Sequence, residues 1–376
     1  MFLILFENNT YVISANNFID TSKVIQKSLV HFQIKTACSS PYSFSEIHTL
    51  NDEFVDSLFV ANKWENVNFE TSLYIHNDQK CVVFKFDVAE DETFDFNDIN
   101  FGCPDDDNLF NGGTLYQLPY IHTQMMGYLY KTLNGQLIAI DGGNPSDKEN
   151  VINAIKQLGG HVHHWFVTHY HDDHTGSIIE ALNSPEIKVD NIYYNFPPED
   201  ALALYGDSNQ EYVAKLIEAV PKETKVITPK KGDVYHLDNL IVTVLNDAYF
   251  GESPNWANDT SVCYKFDTGK TKILFPGDLA KKCDDYLKDA FFAKEIKDCQ
   301  IVQMTHHGNN GATKEFYDAI NLERCLWPTP LWLWNNDDGH GKNSFKFTTL
   351  TTREWMRERN VKKHYHTFDK KILEIK

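Results

Sequence analysis

The 376 residues are 42% hydrophobic and 13% aromatic, which excludes global disorder and allows a packed core. A formal net charge of −18 repels phosphate polymers and so disfavours duplex DNA or long RNA as a substrate. Seven scattered cysteines without any C-x-x-C spacing argue against a disulfide framework or a cysteine zinc ribbon, and fit a reducing cytoplasm.

The length suggests two domains, an accessory domain over residues 1–110 and a larger one over 111–376. The apolar run at residues 1–6 is too short for a signal h-region and has no basic residue before it. No apolar stretch reaches the 18 residues a membrane helix needs, so no membrane association is expected. The first domain is rich in Phe, Asn and Asp, with strand-like runs at 10–14 and 81–88, and reads as β-rich or α+β. The acids at 90–98 and 105–107 read as a solvated loop, because no D-x-[DN]-x-[DN]-G calcium pattern accompanies them.

From about residue 112 strands and helices succeed one another. Apolar runs at 126–131 and 136–140 flank Asn134-Gly135, which predicts a hairpin whose two turn residues both take positive φ. The second strand ends in Asp141-Gly142-Gly143. Ser146 and Glu149 have capping-box spacing, and Val151, Ile152, Ile155 and Leu158 recur at helical spacing before Gly159-Gly160 stops the helix. Further strands are expected at 162–168, 187–196, 225–228, 234–237, 240–245, 261–266, 271–275 and 301–305. Helices are expected at 177–182, 211–220 and 351–359, with a last strand pair near 364–375.

Residues 168–176 read Thr-His-Tyr-His-Asp-Asp-His-Thr-Gly and follow an apolar run. Neutral imidazoles and carboxylates are the groups that bind zinc and similar borderline metals. Candidate ligands recur at three other strand ends, namely Asp141, Asp278 and His306-His307. Strand ends converging on one sheet edge would gather all four sets into one pocket.

The T-H-x-H-x-D-H run, the later Gly277-Asp278 and His306-His307-Gly308 resemble the metallo-β-lactamase fold superfamily over about residues 112–375. The H-H-G ending is most similar to the branch with phosphorylcholine esterases and the hydrolase domain of DNA-uptake proteins. The resemblance implies an α/β fold, an αββα sandwich. It implies that His169 and His171 hold one metal, Asp173 and His174 a second, and that Asp278 bridges them. One of His306 and His307 would complete the second site and the other would contact substrate; strand alternation alone does not choose between them. Asp141 would support the ligand histidines from behind.

Many family members place a third histidine on the first metal. Here the corresponding strand end carries Asn246-Asp247, and His236 lies inside a strand, so Asp247 or Asn246 is the expected replacement, or a single metal serves. Zinc is the default cofactor, with manganese and iron as other occupants of the same donor set. Metal binding lowers the pKa of water to about 7, giving a nucleophilic hydroxide that Asp173 would orient. The implied activity is hydrolysis of a small phosphodiester or related ester. A lactonase, thioesterase or β-lactamase-type acyl hydrolase is the alternative, and a non-catalytic metal-binding regulator of the same fold the other. A di-iron redox protein of this fold would carry Glu where His171 stands.

The remaining histidines read as structural. His161, His163 and His164 precede the ligand-bearing strand end, and His364 and His366 alternate along a strand. His340 lies in a polar loop that reads either as a substrate lid or as plain surface. Trp327, Trp332 and Trp334 read as core or interface, and Tyr170 as a residue packed beneath the motif or facing the pocket.

Overall fold

The computed structural model describes residues 108–376 apart from Lys342, Asn360, Lys362 and Asp369, and residues 1–107 only in the backbone of six strands. The chain divides into two units, Met1–Asp107 and Asn108–Lys376. In the first unit, strands β1 (Phe2–Phe6), β2 (Tyr11–Ser14), β5 (Phe69–His76) and β6 (Gln79–Phe86) form an antiparallel sheet in the order β2-β1-β6-β5. Strands β3 (Ile34–Lys35) and β4 (Pro41–Tyr42) pair separately. The acidic runs at 90–98 and 105–107 lie outside the described residues.

The second unit is built on two seven-stranded sheets. The first comprises β7 (Thr114–Gln117), β8 (Gly127–Lys131), β9 (Leu137–Asp141), β10 (His161–Phe166), β11 (Lys188–Tyr193), β12 (Lys225–Ile227) and β20 (Leu373–Ile375), in the order β12-β11-β10-β9-β8-β7-β20. The second comprises β13 (Val234–Leu237), β14 (Leu240–Val244), β15 (Tyr264–Asp267), β16 (Lys272–Phe275), β17 (Ile301–Gln303), β18 (Arg324–Leu326) and β19 (Lys363–Tyr365), in chain order across the sheet. Strands β9 to β12 run parallel, as do β16 to β19.

The inner faces meet in an aromatic core. Tyr128 packs 5.2 Å from Phe275, and Phe166 packs 5.1 Å from Tyr264, centroid to centroid. Helices Lys148–Gln157, Asp172–Leu182 and Glu211–Ala219 cover the outer face of the first sheet through Val151, Ile178 and Leu216. Helices Ala290–Lys297, Lys314–Asp318 and Thr349–Glu358 cover the second through Phe292, Phe316 and Met356. The result is the α/β, αββα sandwich expected from the sequence. No helix among the described residues is long and apolar enough to cross a membrane.

Local expectations were revised in four places. At the β8–β9 turn only Gly135 takes positive φ (89°), and its N–H bonds Thr132 O, so the turn is followed by a single left-handed glycine. The helix after β9 starts through a short 3-10 turn at Pro145–Asp147, and the carboxylate of Asp147, not of Glu149, reaches back to the N–H of Asn144 at 3.0 Å. Strands β19 and β20 do not pair; each joins a different sheet. The fourth revision bears on function: the helix expected at 177 begins at Asp172, so Asp173 and His174 stand on its first turn.

That helix lies close against the loop after β9. A Cβ on Gly176 would come 2.2 Å from Pro145 Cδ and 2.4 Å from Pro145 N, a clash partly with backbone. Gly176→Ala is therefore expected to destabilise the fold by roughly 3 kcal/mol, at the upper end for overpacking. Urea unfolding checks this; an unchanged midpoint would contradict the close approach.

Candidate metal centre

Both sheets present the C-terminal ends of parallel strands to one region, where backbone ends and turns leave polar groups free to converge. Hydrogen bonds tie the sheets together there: Val262 N–H donates to Thr168 O at 2.9 Å, and the Tyr264 hydroxyl to Val167 O at 3.0 Å. Asp141, at the end of β9, is buried with φ 49°, an uncommon conformation for a residue with a side chain. One of its oxygens accepts the Thr168 N–H (2.8 Å), and the other faces the Thr168 hydroxyl and His174 Nδ1, both at 2.7 Å.

On the second sheet, Asp278 follows β16 and its N–H donates to Ser261 Oγ at 3.2 Å. After β17 the chain makes three consecutive left-handed residues, His306 (φ 50°), His307 (φ 55°) and Gly308 (φ 82°). A Cβ at residue 308 would meet the buried Trp327 ring at 2.5 Å, so the glycine of H-H-G is required by contact as well as by φ. The turn sends the two histidines different ways. His307 Nδ1 lies 2.8 Å from Pro328 O and its ring faces Asp173 and Asp278, whereas His306 Nε2 lies 3.3 Å from Asn258 Nδ2.

Two tight groups of ligand-type atoms result, His169 with His174 and Asp278, and Asp173 with His174 and His307. Asp278 Oδ2 is 3.3 Å from Nε2 of both His174 and His307, and Asp173 Oδ2 is 3.1 Å from His307 Nε2. In each histidine of these groups the outer nitrogen Nδ1 has a neighbour, Thr168 Oγ1, Asp141 or Pro328 O. A neutral imidazole that donates from Nδ1 keeps its lone pair on Nε2. Among the described residues, the buried atoms His169 Nε2, His174 Nε2, His307 Nε2 and Asp278 Oδ1 make no hydrogen bond. Leaving such atoms unpaired costs about 1–3 kcal/mol each, and a divalent cation is the partner that neutral imidazoles and carboxylates fit. The residues thus suit a metal.

The electrostatics agree. Burial opposes charge on His174 and His307, yet the carboxylates around them, Asp278 foremost, raise His174 well above the imidazole range and His307 to about 10. Burial likewise opposes charge on Asp278 and Asp173 and is the largest single influence on each, but His174 and His307 together outweigh it and hold both below the carboxylate range. His169 is held well below its usual value by burial and by the neighbouring His174. The pocket draws positive charge, which a cation supplies while displacing protons.

His171 stands beside these groups, its ring 4.6 Å from that of His169, and belongs to neither. The structure does not bring Asp247 to the site: it is exposed, and its carboxylate caps Lys231 N–H at 3.0 Å. Asn246 is buried but binds Ser261 O and Cys263 N–H, because a side chain at this strand end is needed to satisfy the neighbouring strand. His236 is exposed on the edge strand β13. Reading the sequence assigned no role to Thr168, which sits within the motif, or to Asn258, on the short helix Trp256–Asp259, and did not single out Asp207, which lies in a distant loop with no signature of its own.

The other histidines have structural partners. His161 Nε2 is 2.7 Å from Asp190, with His163 stacked on it at 4.0 Å and accepting Leu137 N–H at 3.1 Å. These two and Asp190 are within reach of one another, half-exposed. His164 Nδ1 lies 2.8 Å from the Tyr193 hydroxyl, and burial lowers its pKa to about 4, so its ring is neutral. His364 accepts the Trp327 indole N–H at 2.9 Å, and His366 stacks on Phe368. His340 is exposed beside Asp338. Trp327 and Trp334 are core residues, Trp332 contacts Phe347, and Tyr170 is buried beneath the motif against Trp256.

The family model described as Metallo-beta-lactamase superfamily matches residues 127–321, over half of the chain. The lactamase-like protein GME11357 of Pestalotiopsis microspora is 34% identical over 74 residues, 19% of this chain and only 23% of that protein. Among solved structures, the metallo-beta-lactamase fold protein YhfI from Bacillus subtilis aligns over 70% of this chain and 99% of its own, at 11% identity and TM-score 0.46. MEM-A1, a subclass B3 metallo-beta-lactamase from a soil metagenome library, aligns over 52% and 78%, at 18% identity and TM-score 0.35. With its strand-end histidines and aspartates set in an αββα sandwich, the chain belongs to the metallo-beta-lactamase superfamily.

Proposed function

We propose that this protein is a zinc-dependent hydrolase of small phosphodiesters or related esters. The observation that carries the reading is the convergence of three imidazole Nε2 atoms and Asp278 Oδ1, all buried and without hydrogen bonds among the described residues, at the ends of parallel strands. In this reading His169 and His171 hold one cation, Asp173, His174 and His307 hold a second, and Asp278 serves both. The cations supply positive charge that makes a bound water acidic near neutrality and offsets charge gathering on an attacked phosphorus or carbonyl centre.

The chain's own groups do the rest. Asp173, fixed on the first helical turn, presents its carboxylate toward the second group and is placed to orient a water. His306 donates or accepts independently of the ligand set: if Asn258 donates to its Nε2, its Nδ1, which is buried and has no partner, carries a proton to offer a substrate oxygen. The net charge of −18 favours a small substrate over a nucleic-acid polymer. Among the described residues, the cysteines Cys263, Cys283, Cys299 and Cys325 are buried free thiols, which fits a reducing, cytoplasmic setting.

Two zinc equivalents per chain are expected by metal analysis of protein purified without chelators, and no bound metal would sink the reading. The holoprotein is expected to turn over bis-(p-nitrophenyl) phosphate faster than p-nitrophenyl carboxylic esters. The opposite order would move the assignment to an acyl hydrolase.

A further inference from the structure

His171 has a partner that neither the motif nor its neighbours in sequence announce. It sits at the N-terminal boundary of helix Asp172–Leu182, in extended conformation (φ −57°, ψ 152°). Its Nε2 lies 2.8 Å from Oδ2 of Asp207. Asp207 belongs to the loop between helices Glu199–Tyr205 and Glu211–Ala219, 36 residues downstream. Its other oxygen, Oδ1, accepts Asn209 N–H at 2.9 Å and faces the Tyr170 hydroxyl at 3.4 Å, so the carboxylate is held by its own loop and by the motif at once. Among the described residues His171 Nδ1 makes no hydrogen bond.

An imidazole that donates Nε2–H to a carboxylate is fixed in one tautomer, with its lone pair on Nδ1. His169, His174 and His307 follow the mirror pattern, with Nδ1 engaged and Nε2 turned inward without a partner. The ring of His171 lies 4.6 Å from that of His169. No histidine stands at the end of β14, where Asn246 and Asp247 are engaged elsewhere, so His171 is a large share of the donors on this flank.

We infer that Asp207 is a positioning residue of the metal centre, fixing His171 as the Nε2–H tautomer so that Nδ1 is the atom offered to a cation beside His169. This rests on the metal-hydrolase reading. The loop carrying Asp207 thereby supplies from outside the motif the rigidity that a third histidine would otherwise bring.

The test measures zinc affinity by competition with the chelating dye 4-(2-pyridylazo)resorcinol, on the full chain, for wild type, Asp207→Ala, His171→Ala and the double variant. Thermal melts confirm that each is folded. Asp207→Ala is expected to weaken one of two zinc equivalents by about 10–100-fold, the usual effect of losing such a support, and to leave the other unchanged. In the His171→Ala background the same substitution is expected to change affinity by less than about twofold, because the two side chains act as one unit. Equal losses in both backgrounds would indicate a general structural role and overturn the inference. So would unchanged zinc binding in Asp207→Ala, or tighter binding, which would mean that the carboxylate holds the imidazole away from the cation. A wild-type protein that binds no zinc would overturn the hydrolase reading itself, a result distinct from wild-type binding that is insensitive to Asp207.

Discussion

Asp278→Asn is expected to lower kcat/KM by about 10³-fold or more while leaving the protein folded. Metal charge contributes several kcal/mol to hydrolysis, and each 1.4 kcal/mol is a factor of about ten. Asp278 is buried, with Oδ2 3.3 Å from both His174 Nε2 and His307 Nε2 and with Oδ1 unpartnered. It stands in one tight group with His169 and His174 and reaches His307 of the other. An asparagine has the same shape but one oxygen and no charge, so one flank loses its donor and the pocket loses part of the field that attracts cations. Its backbone setting, between Gly277 and the Ser261 hydrogen bond, does not depend on the carboxylate. Stability of the metal-free protein should therefore change little, since a neutral amide costs less to bury than a charge. Steady-state kinetics, zinc content and a thermal melt check the three parts; kcat/KM within tenfold of wild type with full zinc content would refute the role.

Much of this site was legible in the sequence because its residues sit at strand ends. Strands are marked by their own apolar pattern, so the polar residues that follow them stand out, as Asp141, His169 and Asp278 do. What remained hidden depends on information that the pattern does not carry. His306 and His307 were indistinguishable because strand alternation does not apply to consecutive left-handed residues; the turn at Gly308, packed on Trp327, separates them. Asp207 lies between two short helices, and its link to His171 exists only once the loop is folded over the motif. The helix bearing Asp173 and His174 begins inside the motif, where charged residues mask helical periodicity. The misread pairing of β19 and β20 has the same origin. Both are short, close in sequence and half-apolar, and only the core, which takes Tyr365 and Ile375 from different sheets, assigns them apart.

Asp141 yields a second large effect, and two substitutions separate its chemical role from its structural one. Its carboxylate satisfies three groups, Thr168 N–H, the Thr168 hydroxyl and His174 Nδ1, from a backbone at φ 49°. Asparagine tolerates that backbone better than most residues and retains an oxygen for the Thr168 N–H. The amide NH₂ then faces His174 Nδ1, where two donors cannot meet. Either the contact breaks, or His174 moves its proton to Nε2, the atom that must hold a lone pair for a metal. Asp141→Asn is thus expected to unfold within about 1 kcal/mol of wild type, yet to bind zinc about 10–100-fold more weakly and to lose activity in step at limiting zinc. Asp141→Ala removes every acceptor, leaves buried donors unpaired and places alanine at positive φ, so it is expected to cost about 3–5 kcal/mol of stability as well. Urea unfolding of the metal-free proteins and chelator competition measure the two effects independently. Wild-type zinc affinity in Asp141→Asn would mean that His174 does not depend on this carboxylate for its tautomer. Equal destabilisation by Asn and Ala would mean that Asp141 acts through the fold rather than through the imidazole.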